Sequence, residues 1–557
     1  MPERRNRLAE RRRVRRRRRR LLVILLSALA VIVLLERETS NSTGQAAAAA
    51  TRFGQEWEAR DWPAMYRMLS PASRRSVSFA AFKRSYASAA VTSTETSVQT
   101  GPPVPVGPID VLLPVRVGTR AFGSIEGMTD LSAVPGGHGT DSIAWRHRDI
   151  FPGLGAGQRL HSNLVEPPRA AILAADGTPV SASANGVFTL GSAGEEIAGV
   201  LGAPSSSERA KGELTAGVSG LERLYDSRLA GKPGGRLYAG RRLLASGRAR
   251  GTAPLRTTID PLLQRAAAAA LGSRDGGVAV IRPSDGAVLA LSGLALSAAQ
   301  PPGSTFKIVT TAAALKAGLT SPGRSYPVRT SATLDGYVLH NANGEACGGS
   351  LSEAFAVSCN SVFAPLGAQV GASRLVEAAR RFGFDGHPRL PDALRSTIPG
   401  RGDLGNSLMV GSTSIGQGQV LATPLEMASV AATIANRGVR ARPHLLASLP
   451  TITRRATSSH IASQIRSLML GVVEHGTGTA AAIPGMPIAG KTGTAELRNQ
   501  SESATLGTHP QDTDAWFVAF PADHPSVAVA VMLVGAGYGG QAAAPIARSV
   551  LLAALGR

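Results

Sequence analysis

A serine and a lysine three residues apart, Ser304 and Lys307, have the types and the spacing to do chemistry together. A Pro-Pro-Gly sequence precedes them, and the pattern predicts a helix from Ser304 to about Gly318 with both side chains on one face. A serine hydroxyl needs a base to take its proton, and a lysine serves once burial or a nearby cation lowers its pKa. The pair therefore predicts a nucleophile and its base, and the backbone N–H groups at the helix start would favour an oxyanion.

The rarity of lysine strengthens this interpretation. Only six of the 60 Lys and Arg residues are lysines, and two of the six, Lys307 and Lys491, lie in short polar motifs. Arginine does not lose its proton in proteins, whereas lysine does when its pKa is lowered. A lysine kept in so Arg-rich a sequence therefore indicates a position where deprotonation is needed.

A second polar group follows an apolar segment at residues 351–357. Ser358 and Asn360 flank Cys359 there, in what the pattern predicts to be a turn between helices. A second hydroxyl at this point could pass a proton to a leaving amine, while the amide holds Lys307 and a peptide group of the substrate. The alternative is a Ser/Asn turn that only ends a helix.

The third group lies in residues 490–495, which predict a strand. Thr492 and Thr494 share one face of that strand, and Lys491 is long enough to reach round from the other face. Gly493 lets a substrate backbone approach closely. Two hydroxyls and an ammonium group suit a carboxylate ligand.

Ser-x-x-Lys, Ser-x-Asn and Lys-Thr-Gly in this order form a set that penicillin-binding proteins and β-lactamases share. Residues 256–557 resemble the transpeptidase domain of class B penicillin-binding proteins, also at residues 414–418, 435–438, 476–480 and 515–517. The resemblance implies a multidomain α+β protein. Its C-terminal domain would have the penicillin-binding and serine β-lactamase-like fold, an antiparallel sheet with helices on its faces.

The resemblance also implies a peptidoglycan D,D-transpeptidase that β-lactams inhibit. Ser304, activated by Lys307, would attack the penultimate D-Ala carbonyl of a stem peptide, and an amine from a neighbouring strand would then take the acyl group. The resemblance implies that the backbone N–H groups of Ser304 and Thr494 form the oxyanion hole. It implies that Ser358 relays protons and that Asn360 orients the acyl chain. Substrate binding would fall to Lys491, Thr492, Gly493 and Thr494.

Several alternatives to a transpeptidase remain open. A D,D-carboxypeptidase, an enzyme that hydrolyses β-lactams and a non-catalytic β-lactam sensor would use the same fold; the two long preceding segments favour the transpeptidase, and no motif for a water-activating base is evident. A remote alternative is nucleotide binding, because Gly485–Thr492 fits Gly-x-x-x-x-Gly-Lys-[Ser/Thr]. That loop must open a helix, whose first turn Gly493 would break.

The composition limits the expected ligands and partners. We expect no cofactor and no protein-bound metal, since neither His-Glu-x-x-His nor a metal-type Cys/His spacing occurs. Much of the net charge of +22 comes from residues 1–20, which carry twelve Arg and two Glu, and no nucleic-acid motif accompanies the rest. Nucleic acid is therefore not expected. The expected partners are stem peptides and their lipid-linked precursor, β-lactams, the membrane, and a glycosyltransferase or the division or elongation machinery that determines cell shape.

The N-terminus predicts a membrane protein. Residues 1–20 predict a cytoplasmic tail, and residues 21–35, apolar or small throughout, predict a retained anchor. This apolar run is short for a span, so a cleaved signal peptide is the alternative. In both cases the Arg cluster keeps the N-terminus in the cytoplasm, which predicts a single-pass protein of the cell membrane with an extracytoplasmic catalytic domain.

Three units are predicted after the anchor. Residues 46–155 resemble the small α+β N-terminal domain of methicillin-resistance-type penicillin-binding proteins. Residues 160–255 resemble a pedestal or dimerisation domain, although the family's usual Arg-Gly-x-Ile-x-Asp-Arg-x-Gly is replaced by Ala-rich sequence at residues 169–177. Residues 256–557 predict the transpeptidase domain, with a helix from Pro261 capped by Asp260, a hairpin at residues 277–291, a strand at 527–534 and a helix at 544–555.

The chain has two cysteines, Cys347 and Cys359, twelve residues apart. On the oxidising side of the membrane such a pair predicts a disulfide. The bond would fix the turn that contains Ser358 and Asn360. The alternative is that Cys359 is a buried small residue and Cys347 lies in a loop.

Overall fold

The computed structural model of the protein describes residues 40–135, 141–181, 189–390, 392–496 and 513–557. The predicted tail, residues 1–20, and the predicted anchor, residues 21–35, lie outside the described residues. Among the helices in the described ranges, none is long and apolar enough to cross a membrane.

The chain divides into two compact units. The first takes the residues up to 170 together with 202–216 and 227–252, and the second takes 171–201, 217–226 and 253–557. Residues 160–255 are therefore shared between both units, and the division into three domains stays a prediction.

The described residues form the following α-helices and strands, numbered in chain order. The helices are α1 (Ser40–Ala59), α2 (Trp62–Arg67), α3 (Pro71–Ser76), α4 (Phe79–Ser93), α5 (Ser192–Ala198), α6 (Ser206–Ala210), α7 (Gly220–Leu224), α8 (Asp226–Leu229), α9 (Pro261–Leu271), α10 (Lys307–Lys316), α11 (Leu351–Ala356), α12 (Asn360–Val370), α13 (Ala372–Phe382), α14 (Ser407–Ser414), α15 (Pro424–Ala435), α16 (Ser459–Glu474) and α17 (Gly539–Ala554). The strands are β1 (Glu95–Thr100), β2 (Val104–Pro105), β3 (Asp110–Thr119), β4 (Gly123–Pro135), β5 (Asp141–Ile143), β6 (Leu160–Val165), β7 (Ile172–Leu173), β8 (Leu201–Gly202), β9 (Ala216–Gly217), β10 (Gly234–Ala239), β11 (Arg242–Gly247), β12 (Leu255–Arg256), β13 (Gly276–Ile281), β14 (Val288–Gly293), β15 (Ser325–Arg329), β16 (Ser331–Leu334), β17 (Tyr337–His340), β18 (Cys347–Ser350), β19 (Val439–Ala441), β20 (Thr453–Arg455), β21 (Ile488–Glu496), β22 (Thr513–Pro521) and β23 (Ala528–Leu533).

The first unit packs helices on an antiparallel sheet with the strand order β1-β3-β4-β5, and β2 pairs with β3. Phe53 and Trp57 of α1, Phe82 of α4 and Leu113 of β3 are buried in one core. A second sheet, β11-β10-β6, adds Leu237 to the same core. The helical spacing of aromatic residues after residue 50 thus reflects a helix that buries one face on a sheet.

The second unit is built on a five-stranded antiparallel sheet in the order β14-β13-β23-β22-β21. Alternate residues of β13, Val278 and Val280, are buried with Leu263 of α9 and Ala544 of α17. Helix α15 packs against β13, β22 and β23, whose residues are buried along their whole length. Successive side chains of a strand point to opposite faces, so both faces are covered. The predicted antiparallel sheet with helices on its faces is confirmed.

The sequence predicted the start of α9 and the hairpin of β13 and β14 correctly, but it placed the start of α17 too late. Asp260 caps α9 by accepting from the N–H groups of Leu262 and Leu263, as predicted, and β13 and β14 form the predicted hairpin. The last helix begins at Gly539, before the predicted residue 544. A Cβ on Gly539 would lie 2.1 Å from the carbonyl oxygen of Trp516, so this glycine serves close packing of the helix start and not a turn.

The helix predicted to begin at Ser304 begins instead at Lys307, and residues 303–306 form a 3₁₀ turn before it. Two glycines hold this turn. The Gly303 N–H donates to the Gly416 carbonyl oxygen at 2.9 Å, and a Cβ on Gly416 would lie 1.8 Å from the Gly303 carbonyl oxygen. Any side chain at position 416 would therefore displace the turn that carries Ser304.

We expect Gly416→Ala to lower the melting temperature by several degrees more than Gly418→Ala. Both glycines have a positive φ, 80° and 72°, so each substitution carries a backbone penalty of about 1 kcal/mol. Around Gly418 the nearest atom to a Cβ is the Thr413 hydroxyl oxygen at 4.0 Å, so only the substitution at 416 adds a clash. Thermal unfolding by circular dichroism measures the difference, and equal losses would contradict the proposed contact.

Candidate active site

The three polar motifs converge on the edge strand β21. The turn 303–306 lies directly against it, because a Cβ on Gly303 would be 2.7 Å from the Thr494 carbonyl oxygen and a Cβ on Gly493 would be 2.8 Å from the Pro302 carbonyl oxygen. The turn between α11 and α12 reaches the same strand, since Lys491 Nζ donates to Ser358 Oγ at 2.9 Å. Segments nearly two hundred residues apart thus meet at one site.

Lys307 lies at the centre of the site and is fully buried. Its Nζ donates to the Ser358 carbonyl oxygen and to Asn360 Oδ1, both at 2.7 Å, and Ser358 Oγ lies 3.3 Å away. Burial, and then the charge of Lys491, lower the pKa of Lys307 well below its ordinary value. Both causes stabilise the neutral amine relative to the charged ammonium.

The hydrogen bonds of Lys307 suit that neutral form. A neutral amine has two hydrogens and one lone pair, and the two oxygen atoms at 2.7 Å, one a backbone carbonyl and one an amide, act only as acceptors. These two bonds use both hydrogens of a neutral amine, and the Ser358 hydroxyl, 3.3 Å away, then faces its lone pair. In the described residues no hydrogen bond joins Ser304 Oγ to Lys307, in keeping with the long catalytic contacts of ligand-free enzymes.

Lys491 is also fully buried, and burial lowers its pKa to about 7. Besides Ser358 Oγ, its Nζ donates to the Thr492 carbonyl oxygen at 3.0 Å. The Ser358 hydroxyl therefore lies between two amines that both have lowered pKa values. Ser358 adopts a left-handed backbone conformation, with φ 63°, and both its carbonyl and its hydroxyl contact Lys307.

The exposure of the motif residues divides them into two layers. Ser304, Ser358, Asn360 and Thr494 are partly exposed and are open to a ligand. Lys307, Lys491 and Thr492 are buried beneath them. The amine of Lys491 reaches Ser358 Oγ within the site, and its predicted contact with a substrate carboxylate stays a prediction. Thr494 is the most exposed of the four motif residues 491–494.

Several residues of the site were not assigned a role from the sequence. The rings of Phe363 and Phe355 lie beside the two amines, with centroids 5.3 Å from Lys307 Nζ and 5.5 Å from Lys491 Nζ. Both rings are buried and remove water from the amines. The hydroxyls of Thr477 and Thr492 are 2.6 Å apart, which orients the strand motif. The sequence signal for this role was the presence of a phenylalanine on either side of Ser358, at positions 355 and 363.

A disulfide joins Cys347 to Cys359, with their Cα atoms 5.8 Å apart. Beside it, Asn341 Oδ1 accepts from the Ser361 N–H at 2.7 Å, and Asn341 Nδ2 donates to the carbonyl oxygens of Arg329 and Glu345. The loop before β18 is therefore fastened to the start of α12 by one covalent bond and one buried amide. Both flank the residues that bind Lys307.

The nucleotide-binding alternative is not supported by this geometry. Such a loop lies between a strand and a helix and wraps a phosphate. Lys491 and Thr492 instead lie inside β21, paired with Val518 and Phe517 of β22. Thr492 does not open a helix, because the strand continues through it to Glu496.

Comparison with known proteins gives a consistent family. The profile described as the penicillin binding protein transpeptidase domain matches residues 276–552. The peptidoglycan D,D-transpeptidase PbpA of Mycobacterium tuberculosis is 38% identical over 402 residues, which cover 60% of this chain and 79% of that protein. PbpA of Mycolicibacterium smegmatis is 37% identical over 409 residues with the same coverage.

Solved structures agree with the sequence relatives. Penicillin-binding protein A from M. tuberculosis, solved as a ceftriaxone acyl-enzyme complex, has a TM-score of 0.58 and 31% identity over 70% of this chain and 98% of that chain. PBP2 of Pseudomonas aeruginosa in complex with WCK 5153 has a TM-score of 0.60 and 26% identity over 71% of this chain and 97% of that chain.

We expect Lys307→Arg to acylate with a fluorescent penicillin almost as slowly as Lys307→Ala, each at least about 100-fold below wild type, because arginine keeps the charge but does not accept a proton. Since the pKa of Lys307 lies well below its ordinary value, the wild-type rate should fall only when the pH drops through that lowered pKa. Lys316→Arg, an exposed substitution on the same helix, is the matched control and should keep the wild-type rate. A Lys307→Arg rate near wild type would refute the assignment of the base.

Reduction of the disulfide should slow acylation more than it lowers stability. The bond closes a short loop, for which the chain-entropy estimate is about 3 kcal/mol, and its direct effect falls on the turn that carries Ser358 and Asn360. Thiol counting on the denatured, unreduced protein should find no free thiol. Two free thiols, or an unchanged acylation rate after reduction, would contradict this role.

Proposed function

The chain belongs to the penicillin-binding protein transpeptidase family, and from this premise we propose that it is a peptidoglycan D,D-transpeptidase that forms an acyl-enzyme on Ser304. The observation that carries the proposal is the fully buried amine of Lys307, whose pKa is lowered by burial and whose Nζ contacts both Ser358 and Asn360. A lysine whose pKa is lowered can act as the base that activates a serine hydroxyl. The names of the relatives and the acyl-enzyme structure agree with it.

Acylation begins with a donor stem peptide that ends in D-Ala-D-Ala. Its terminal carboxylate binds at the partly exposed Thr494, with Thr492 and the charge of Lys491 behind it. Lys307 takes the proton of Ser304, whose oxygen then bonds to the penultimate carbonyl carbon. The backbone N–H groups of Ser304 and Thr494 stabilise the oxyanion.

The leaving group needs a proton before it departs. The proton passes from Lys307 through the Ser358 hydroxyl to the amine of the terminal D-Ala, the peptide bond breaks, and the acyl group remains on Ser304. In the second half-reaction the acceptor amine bonds to the acyl carbon and gives up its proton along the same path, the ester bond to Ser304 breaks, and Lys307 returns the proton to the Ser304 oxygen. Asn360, which also donates to the His340 carbonyl oxygen, orients the acyl chain by its amide.

We further propose that residues 21–35 anchor the protein in the cell membrane, with residues 1–20 in the cytoplasm and the catalytic domain outside. The Arg-rich flank supports this orientation, and a disulfide beside the active site is typical of an oxidising compartment. On the outer face the enzyme would work beside a glycosyltransferase, in the division or elongation machinery, and would bind β-lactams as substrate mimics.

Ser304→Ala should abolish covalent labelling by a fluorescent penicillin and leave the melting temperature close to that of wild type, since a partly exposed hydroxyl contributes little to packing. Ser526→Ala, an exposed substitution outside the site, is the control and should label normally. Labelling of the Ser304 variant at the wild-type level would exclude this nucleophile.

A second assay separates the transpeptidase from a carboxypeptidase. The full chain is incubated with a D-Ala-D-Ala peptide and an acceptor amine, and mass spectrometry distinguishes the cross-linked product from the hydrolysed one. The cross-linked product should dominate, and hydrolysis alone would assign a carboxypeptidase instead.

A further inference from the structure

A cavity of about 500 Å³ lies in the second unit among α13, the segment after it, α15 and the paired strands β19 and β20. Its lining contains six arginines and one carboxylate. The arginines are Arg380, Arg381, Arg389, Arg440, Arg442 and Arg454, and the carboxylate is Glu426. A cavity lined in this way attracts anions.

The paired strands concentrate charge on the cavity side. Arg440 pairs directly opposite Arg454 in the ladder, so their side chains share one face, and Arg442 follows two residues after Arg440. Like charges directly opposite each other in a sheet are destabilising. Arg455 faces the other way and does not line the cavity. A negative group beside these three side chains would therefore reduce the repulsion between them.

The protein itself compensates only part of this charge. Arg380 is paired with Asp385, Arg381 with Glu377, and Arg440 with Glu426. Among the residues that the structure describes, no carboxylate lies within ion-pair distance of the other three, Arg389, Arg442 and Arg454.

The unpaired guanidinium groups keep donors available. Arg389 donates one N–H group to the Pro450 carbonyl oxygen, and Arg442 donates one to the His387 carbonyl oxygen. A guanidinium has five N–H donors, so most donors of both side chains remain for a ligand. The two bonds hold the side chains in place at the cavity and leave the planar forks open.

We propose that this cavity is a binding site for a phosphate group, as a pyrophosphate or a phosphodiester, separate from the Ser304 site. Guanidinium forks match pairs of phosphate oxygens, and the cavity has room for more than one phosphate. Its wall at Gly383 continues into Phe384, whose ring packs edge to face on Phe306, with centroids 5.2 Å apart, two residues after Ser304. The cavity wall therefore contacts the 303–306 turn through Phe384, and no catalytic residue lines the cavity.

The test uses the full chain in a non-ionic detergent and isothermal titration calorimetry at physiological ionic strength. Two probes distinguish the sources of the phosphate: inorganic pyrophosphate stands for a soluble or diphosphate ligand, and glycerophosphoglycerol stands for a lipid headgroup. Arg442→Gln and Arg454→Gln should each raise the Kd of the bound probe about tenfold, through loss of a charge-assisted bond. Arg455→Gln removes the same charge from the same paired strands on the opposite face and should stay within about twofold of wild type.

Each outcome decides the proposal. Binding of either probe that depends on Arg442 and Arg454, but not on Arg455, supports it and identifies the source. Failure of both probes to bind wild type, or equal weakening by all three substitutions, overturns it. Penicillin labelling of each variant at the wild-type rate verifies that the variant is folded. The labelling assay also tests the transpeptidase proposal independently, because Ser304 can be acylated whether or not the cavity binds phosphate.

Discussion

The active site depends on the burial of two amines beside one hydroxyl. Lys307 and Lys491 are both inaccessible to water, and both contact Ser358 Oγ, at 3.3 Å and 2.9 Å. Two charged amines so close in a medium of low dielectric constant would repel each other strongly. Neutralising one of them removes the repulsion, so the packing and the second amine both lower the pKa of Lys307. The phenylalanine rings on either side complete this effect, because they exclude the water that would stabilise charge.

The surrounding fold serves to hold three distant segments together at that point. Where they meet, side chains are absent: Gly303 lies against Thr494, Gly416 against Gly303, and Gly539 against Trp516. Each of these glycines lets two backbones approach at distances that no side chain would allow. The disulfide and the buried amide of Asn341 fasten the remaining segment, which otherwise carries a Ser358 conformation unfavourable for a residue with a side chain.

Sequence alone predicted which residues would lie close together, but it did not predict which of them are buried and which are open to a ligand. The types and order of Ser304, Lys307, Ser358 and Lys491 carry the chemistry, and the alternation around Lys491 predicted its strand. That Lys491 points inward, and that Phe355 and Phe363 surround the amines, depends on contacts between residues far apart in sequence, which no local pattern contains. The 3₁₀ turn at Ser304 was missed for the same reason, since it is fixed by Gly416, more than a hundred residues away.

The lowered pKa of Lys491, about 7, has a consequence for proton uptake by the site. A carboxylate bound beside this amine would raise its affinity for a proton. Binding of an anionic ligand would therefore be coupled to uptake of a proton, and its departure to release of one next to Ser358 Oγ, which lies 2.9 Å from Lys491 Nζ.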